Sequence, residues 1–156
     1  MFDEKKLIPN SELFNVVLKT LQEGKRVSFT VTGMSMYPFL CHGRDRVIVG
    51  KTDQNHLQKG DIVLLKTNSG CYLLHRITKI TENSIVTTGD SNCFRDGIFP
   101  LSCVVAKVIA VIRKGNEIDC DYWKWKLTSK LWMTLFPFRK KIIKTWFQIR
   151  KYLKRG

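Results

Sequence analysis

The chain has 156 residues, 44 % of them apolar, and a formal net charge of +14. That length suits one domain with a real core, and that composition excludes a disordered polyelectrolyte. The charge is unevenly placed: residues 122–156 hold eleven Lys or Arg and no acid, leaving sixteen basic against thirteen acidic residues before them.

The opening MFDEKKLIPN is charged and lacks the apolar h-region of a signal peptide. Asn10 or Ser11 then suits a helix cap, with Leu13, Val17 and Leu21 on one face and Gly24 as the stop. Val27, Phe29 and Val31 alternate as a strand that runs into GMSMYP, residues 33–38. Further strands are expected at 46–49, 61–66, 72–77, 84–88 and 104–113, separated by Gly and Asn turns such as Asn68-Ser69-Gly70 and Gly115-Asn116. Short strands at this spacing predict a mainly β, barrel-like body. The organisation expected is a helical lead-in over 1–26, a β domain over 27–121 and a distinct tail over 122–156.

The tail is basic and aromatic. Trp123, Trp125, Leu127, Leu131 and Leu135 precede an interruption at Pro137. After it, Ile142, Trp146, Ile149 and Leu153 recur at helical spacing, with Lys140, Lys144, Lys151 and Arg155 on the other side. This is a basic amphipathic helix, the composition of a segment lying on an anionic membrane surface. Packing of its apolar face on the β body is the plainer alternative. Nucleic acid is disfavoured, because no recognition module accompanies the Lys and aromatic residues. No stretch reaches the roughly 20 apolar residues of a membrane span.

The five cysteines are scattered, odd in number and form no CxxC pair. They argue against a disulfide framework or a zinc site and mildly favour a reducing compartment. Neither metal nor cofactor is expected.

Chemistry converges on three stretches. Ser35 stands between two methionines at a strand end, and its hydroxyl becomes a nucleophile only beside a base. Of the three histidines, His42 and His56 sit in polar turns, whereas His75 lies in the apolar YLLHRITKI. A lone strand histidine is more often structural. The loop VTTGDSNCFRDG adds Asp90 and Asp96, either of which can orient an imidazole, although TGD alone is a common Asx-type bend.

GMSMYP (33–38), GDIVLL (60–65), LLHRI (73–77) and TGDSN (88–92) stand in the order and rough spacing of the signal peptidase I and S24/S26 serine peptidases, and residues 27–112 resemble that superfamily. The resemblance implies a signal-peptidase-like β-rich barrel or coiled sheet and a serine endopeptidase that processes a peptide or protein precursor. It implies Ser35 as nucleophile and His75 as general base, in the manner of the histidine-base branch found in the endoplasmic reticulum and in archaea. Asp90 and Asp96 match the branch's two acid positions, with Asp96 favoured as the orienting member. Met34, Met36, Tyr37 and Pro38 are the implied substrate-binding residues, hydrophobic core being their alternative reading. The oxyanion hole would rest on the Ser35 N–H, with Thr32 as a helper.

The chain departs from the pattern in three places. Gly33-Met34 replaces the usual Ser-Gly before the nucleophile, Ser91 stands where Asn is frequent, and no N-terminal membrane anchor is visible. The expected setting is therefore cytoplasmic or peripheral to the inner face of the membrane. The competing reading is a catalytically vestigial S24-like regulator or a membrane-surface adaptor.

Overall fold

The structure, a computed structural model, describes residues 10–153. The capping expected of Asn10 or Ser11 lies outside the described side chains, as does Arg155 of the tail. Helix α1 (Asn10–Gln22) buries Val17 and Leu21 on one stripe. It ends where Gly24 takes φ +75°, a left-handed conformation that glycine adopts without steric cost.

Eight strands follow: β1 (Val27–Thr30), β2 (Asp45–Gly50), β3 (Ile62–Lys66), β4 (Tyr72–Ile80), β5 (Ser84–Thr88), β6 (Gly97–Pro100), β7 (Val104–Arg113) and β8 (Asn116–Asp119). All pairings are antiparallel, in the order β1-β2-β7-β3-β4-β5-β6, and β8 also pairs with β7. The sheet is open, with β1 and β6 at the ends of that path. The β-rich body expected from the sequence is present.

Two short strands were not foreseeable from pattern. Strand β6 exposes Gly97, Ile98 and Pro100 and β8 exposes Asn116, Glu117 and Asp119, so neither buries the alternating face that reveals a strand. Strand β4 also runs three residues beyond the expected 72–77, across a bulge that shifts its register against β5.

Side chains of β3 alternate between two cores. Ile62 and Leu64 join Val17, Leu21, Val47 and Val108, whereas Val63 and Leu65 join Ile77 and Ile85. Helix α2 (Trp123–Thr134) follows β8, a short 3-10 turn spans Phe136–Phe138 around Pro137, and α3 (Arg139–Leu153) closes the described chain. The break falls at the expected proline, which cannot donate the helical hydrogen bond. Helix α2 leans on the body through half-buried Trp125 and Trp132. Helix α3 leaves Trp146, Ile149 and Leu153 between 45 and 75 % exposed. None of the described helices is long and apolar enough to cross a membrane.

Candidate active site

The segment between β1 and β2 carries Ser35 and is tied at both ends. Val31 N–H donates to the Asp45 carbonyl and Gly43 N–H to the Val31 carbonyl, closing the loop. Within it, Tyr37 N–H donates to Met34 O and Leu40 N–H to Met36 O. Gly33 holds φ +83°, and its N–H donates to His42 Nδ1 at 3.0 Å. Asp45 clamps the loop's far side, accepting from the Cys41 N–H and from the Arg44 and Arg113 guanidinium groups at 2.8–3.1 Å. Burial pushes the Asp45 carboxyl up, but the Arg44, Arg113 and Cys41 hydrogen bonds outweigh it and hold it down to about 2.

His75 comes from the middle of β4, opposite Val63 of β3. Its Nε2 lies 3.0 Å from Ser35 Oγ and its Nδ1 2.5 Å from Asp96 Oδ2. Asp96 also accepts from the Thr87 hydroxyl at 2.9 Å, and its own N–H donates to the Thr87 carbonyl. A carboxylate on Nδ1 fixes the proton there and leaves Nε2 to accept from the serine hydroxyl. The side chains of His75 and Asp96 are 8 and 9 % exposed, so water screens neither contact strongly.

Asp90 is not brought to His75. It forms a two-pronged, fully buried pair with Arg76, whose Nε and Nη2 donate to its carboxylate at 2.8 and 2.7 Å. The reason is strand alternation: His75 and Arg76 are neighbours and point to opposite faces of β4. The loop after β5 straddles the strand and supplies one acid to each face. Arg76 also donates to the Gly60 carbonyl and lies over the Phe39 ring, 4.6 Å from its centroid.

The same loop holds the turn that carries Ser35. Ser91 N–H donates to the Ser35 carbonyl at 2.8 Å, and the Ser91 hydroxyl is shared between the Met34 and Ser35 carbonyls. Gly89 permits this approach, since a Cβ there would lie 2.6 Å from the Ser35 carbonyl oxygen. Trp132 of α2 donates its indole N–H to the Asp90 carbonyl at 2.9 Å, so the tail braces the loop from outside.

A cavity of about 260 Å³ opens beside Ser35 and His75, walled by Phe14 of α1, Phe29 and Val31 of the β1 side, and Leu64, Tyr72 and Leu74. Met36 and Thr32 also line it. Of the four residues expected to bind substrate, Met36 alone reaches the cavity, and it does so as a core residue, 2 % exposed. Tyr37 is turned away and stacks on Phe147 of α3, and Pro38 is not in the wall. Met34 is 48 % exposed beside the mouth. Thr32 is exposed and makes no hydrogen bond among the described residues, whereas the Ser35 N–H has no acceptor among them.

Sequence reasoning gives no role to Arg76, Thr87, Gly89 or Trp132, sets His42 aside as a turn residue and notes Ser91 only as a departure from the family pattern. Arg76 alone left a trace, as a charge inside an apolar strand where only a buried partner tolerates it. Among the described residues no cluster of His, Cys, Asp or Glu is arranged to hold a metal. Comparison with known protein families, with curated proteins and with solved structures finds no match to this chain.

Proposed function

We propose that this protein is a serine endopeptidase that cleaves a peptide or protein precursor through Ser35, His75 and Asp96. The observation that carries this reading is His75, bonded through one nitrogen to a serine hydroxyl and through the other to a carboxylate. In this reading His75 Nε2 takes the Ser35 proton as Oγ attacks the scissile carbonyl. Asp96 stabilises the imidazolium, and the Ser35 N–H faces the developing oxyanion. The imidazolium protonates the leaving amine, an acyl-enzyme remains, and His75 then activates the water that releases it.

The substrate fits as an extended strand. β1 is an edge of the sheet, and Phe29, Thr30 and Val31 lead along the cavity wall toward Ser35. A cavity of about 260 Å³ takes a small or medium apolar side chain. The barrel-like architecture and histidine-base chemistry of the signal peptidase I and S24/S26 superfamily belong to this proposal, as does peripheral attachment to an anionic membrane. That attachment is supported by the exposed Trp146, Ile149 and Leu153 on a helix rich in Lys.

A fluorophosphonate probe that acylates activated serines tests the reading. Wild type should label, as should Lys79→Ala, which removes the alternative lysine base four residues beyond His75 on β4, while Ser35→Ala and His75→Ala should not. Equal labelling of wild type and Ser35→Ala would remove the enzyme and leave a binding protein on the same fold.

A further inference from the structure

A second and larger cavity, of about 540 Å³, lies between α2 and the sheet. Its walls carry Lys59, Arg95, Lys126, Lys130 and Arg139 against a single acid, Asp61. Asp61 is already paired with Lys107, and Lys126 with Asp121. Among the described residues no carboxylate lies within ion-pair distance of Lys59, Arg95, Lys130 or Arg139. Four cations therefore line one cavity without an ion-pair partner among the described residues.

Arg139 is the decisive member. It is 1 % exposed, its Nε and Nη2 both donate to the Trp132 carbonyl, and its Nη1 has no partner among the described residues. Rings of Trp132 and Phe136 lie 5.5 and 5.1 Å from its guanidinium carbon. Burial pulls its pKa down, and the charge of Asp90 only partly restores it. Ser129, 3 % exposed on the same cavity wall, has a hydroxyl that likewise lacks a partner among the described residues. Buried polar groups are normally satisfied, and a buried cation without a counterion is unfavourable. An anion in the cavity would relieve both. The remaining wall is led by Ile62, Val108, Trp125, Met133 and Phe136, which offer contact to an apolar chain.

We propose that this cavity binds a single-chain anionic amphiphile, a phosphate or carboxylate head on an apolar chain, with the head at Arg139 and Ser129 and the rim cations Lys59, Arg95 and Lys130 around it. The size falls within the range of small-molecule sites, about 300–1,000 Å³. The proposal is independent of the peptidase reading, because it concerns binding and not the reactivity of Ser35.

The test is calorimetric titration of the full chain with dodecyl phosphate below its critical micelle concentration. Saturable binding of one molecule per chain is expected. Inorganic phosphate should bind at least tenfold more weakly, and dodecyl maltoside, with the same chain and no charge, should not compete. Arg139→Gln and the pair Arg95→Glu/Lys130→Glu should each lower the affinity tenfold or more. The pair Lys140→Glu/Lys144→Glu, equal in charge change but on α3 away from the cavity, should leave it within about twofold. If Arg139→Gln fails to fold by circular dichroism, the rim pair decides. Equal losses in the rim and α3 pairs, or equal binding of the neutral chain, would overturn the proposal. Incubation with neutral phosphatidylcholine vesicles that carry single-chain lysophosphatidylglycerol then separates the sources. One lipid carried off per chain in native mass spectrometry identifies the bilayer, and binding seen only in the titration identifies the free amphiphile. Binding in neither sinks the idea.

Discussion

The two carboxylates of the loop after β5 differ in what they touch, and that difference separates the proposed chemistry from stability. The Asp96 carboxylate meets His75 Nδ1 and the Thr87 hydroxyl, while the hydrogen bonds to the Asp90 carboxylate among the described residues both come from Arg76. Asp96→Asn keeps the shape of the contact but presents an amide. Its NH2 favours the wrong imidazole tautomer, in which Nε2 carries the proton and cannot accept from Ser35. If the proposed peptidase reading holds, the expected loss in kcat is about 10⁴-fold with KM little changed, the size seen when the triad acid of a serine peptidase is amidated. Steady-state kinetics on a cleavable peptide, or the labelling rate where no substrate is known, checks it. A loss of less than tenfold would mean that Asp96 does not orient the base. Residue types inside apolar or Gly-punctuated stretches marked Ser35, His75, Asp90 and Asp96 as candidates, and the order of the motifs in the resemblance grouped them. Which acid serves which residue was not legible. Spacing along a loop carries no information about the face of β4 that each side chain reaches.

At the level of elements, β4 and the loop that wraps its end form one unit, and the Arg76–Asp90 pair is its inner rivet. Both side chains are at most 1 % exposed. Removing one partner leaves the other charge buried without compensation, which costs about 3–5 kcal/mol. Asp90→Asn should therefore lower the melting temperature by about 10 °C for a chain of this size. Arg76→Met added to it should recover much of the loss, because the uncompensated cation is then gone. Differential scanning calorimetry of the two variants distinguishes this from a catalytic role, which would leave the melting temperature near wild type. The helices of the tail were legible from period and from Pro137, as was the longer part of every strand that buries a face. Strands β6 and β8 were not, since their exposed residues are held by backbone pairing that leaves no hydrophobic signature.

Over the whole molecule, the sequence announced a β body and a basic tail but not the order of the sheet. β7 enters between β2 and β3, and that insertion brings Arg113 at the end of β7 against Asp45 at the start of β2. Such pairing between residues 68 apart is set by three-dimensional closure, which no local pattern encodes. One carboxylate thus joins three parts of the fold: β2, β7 and the loop that carries Ser35. Its folded pKa, about 2, lies below that of an exposed aspartate in the unfolded chain. The group contributes stability that is fully present above the unfolded value, near pH 4, and that is lost as pH falls through the folded value. The contribution is on the order of 2 kcal/mol. Urea unfolding between pH 5 and pH 2, compared in wild type and Asp45→Asn, isolates it. Wild type should lose stability steeply over the lower half of that window. The variant should begin less stable, because Arg44, Arg113 and the Cys41 N–H lose their ionised acceptor, and should show a flatter slope. Parallel pH profiles in the two proteins would show that the clamp does not hold the nucleophile loop to the sheet.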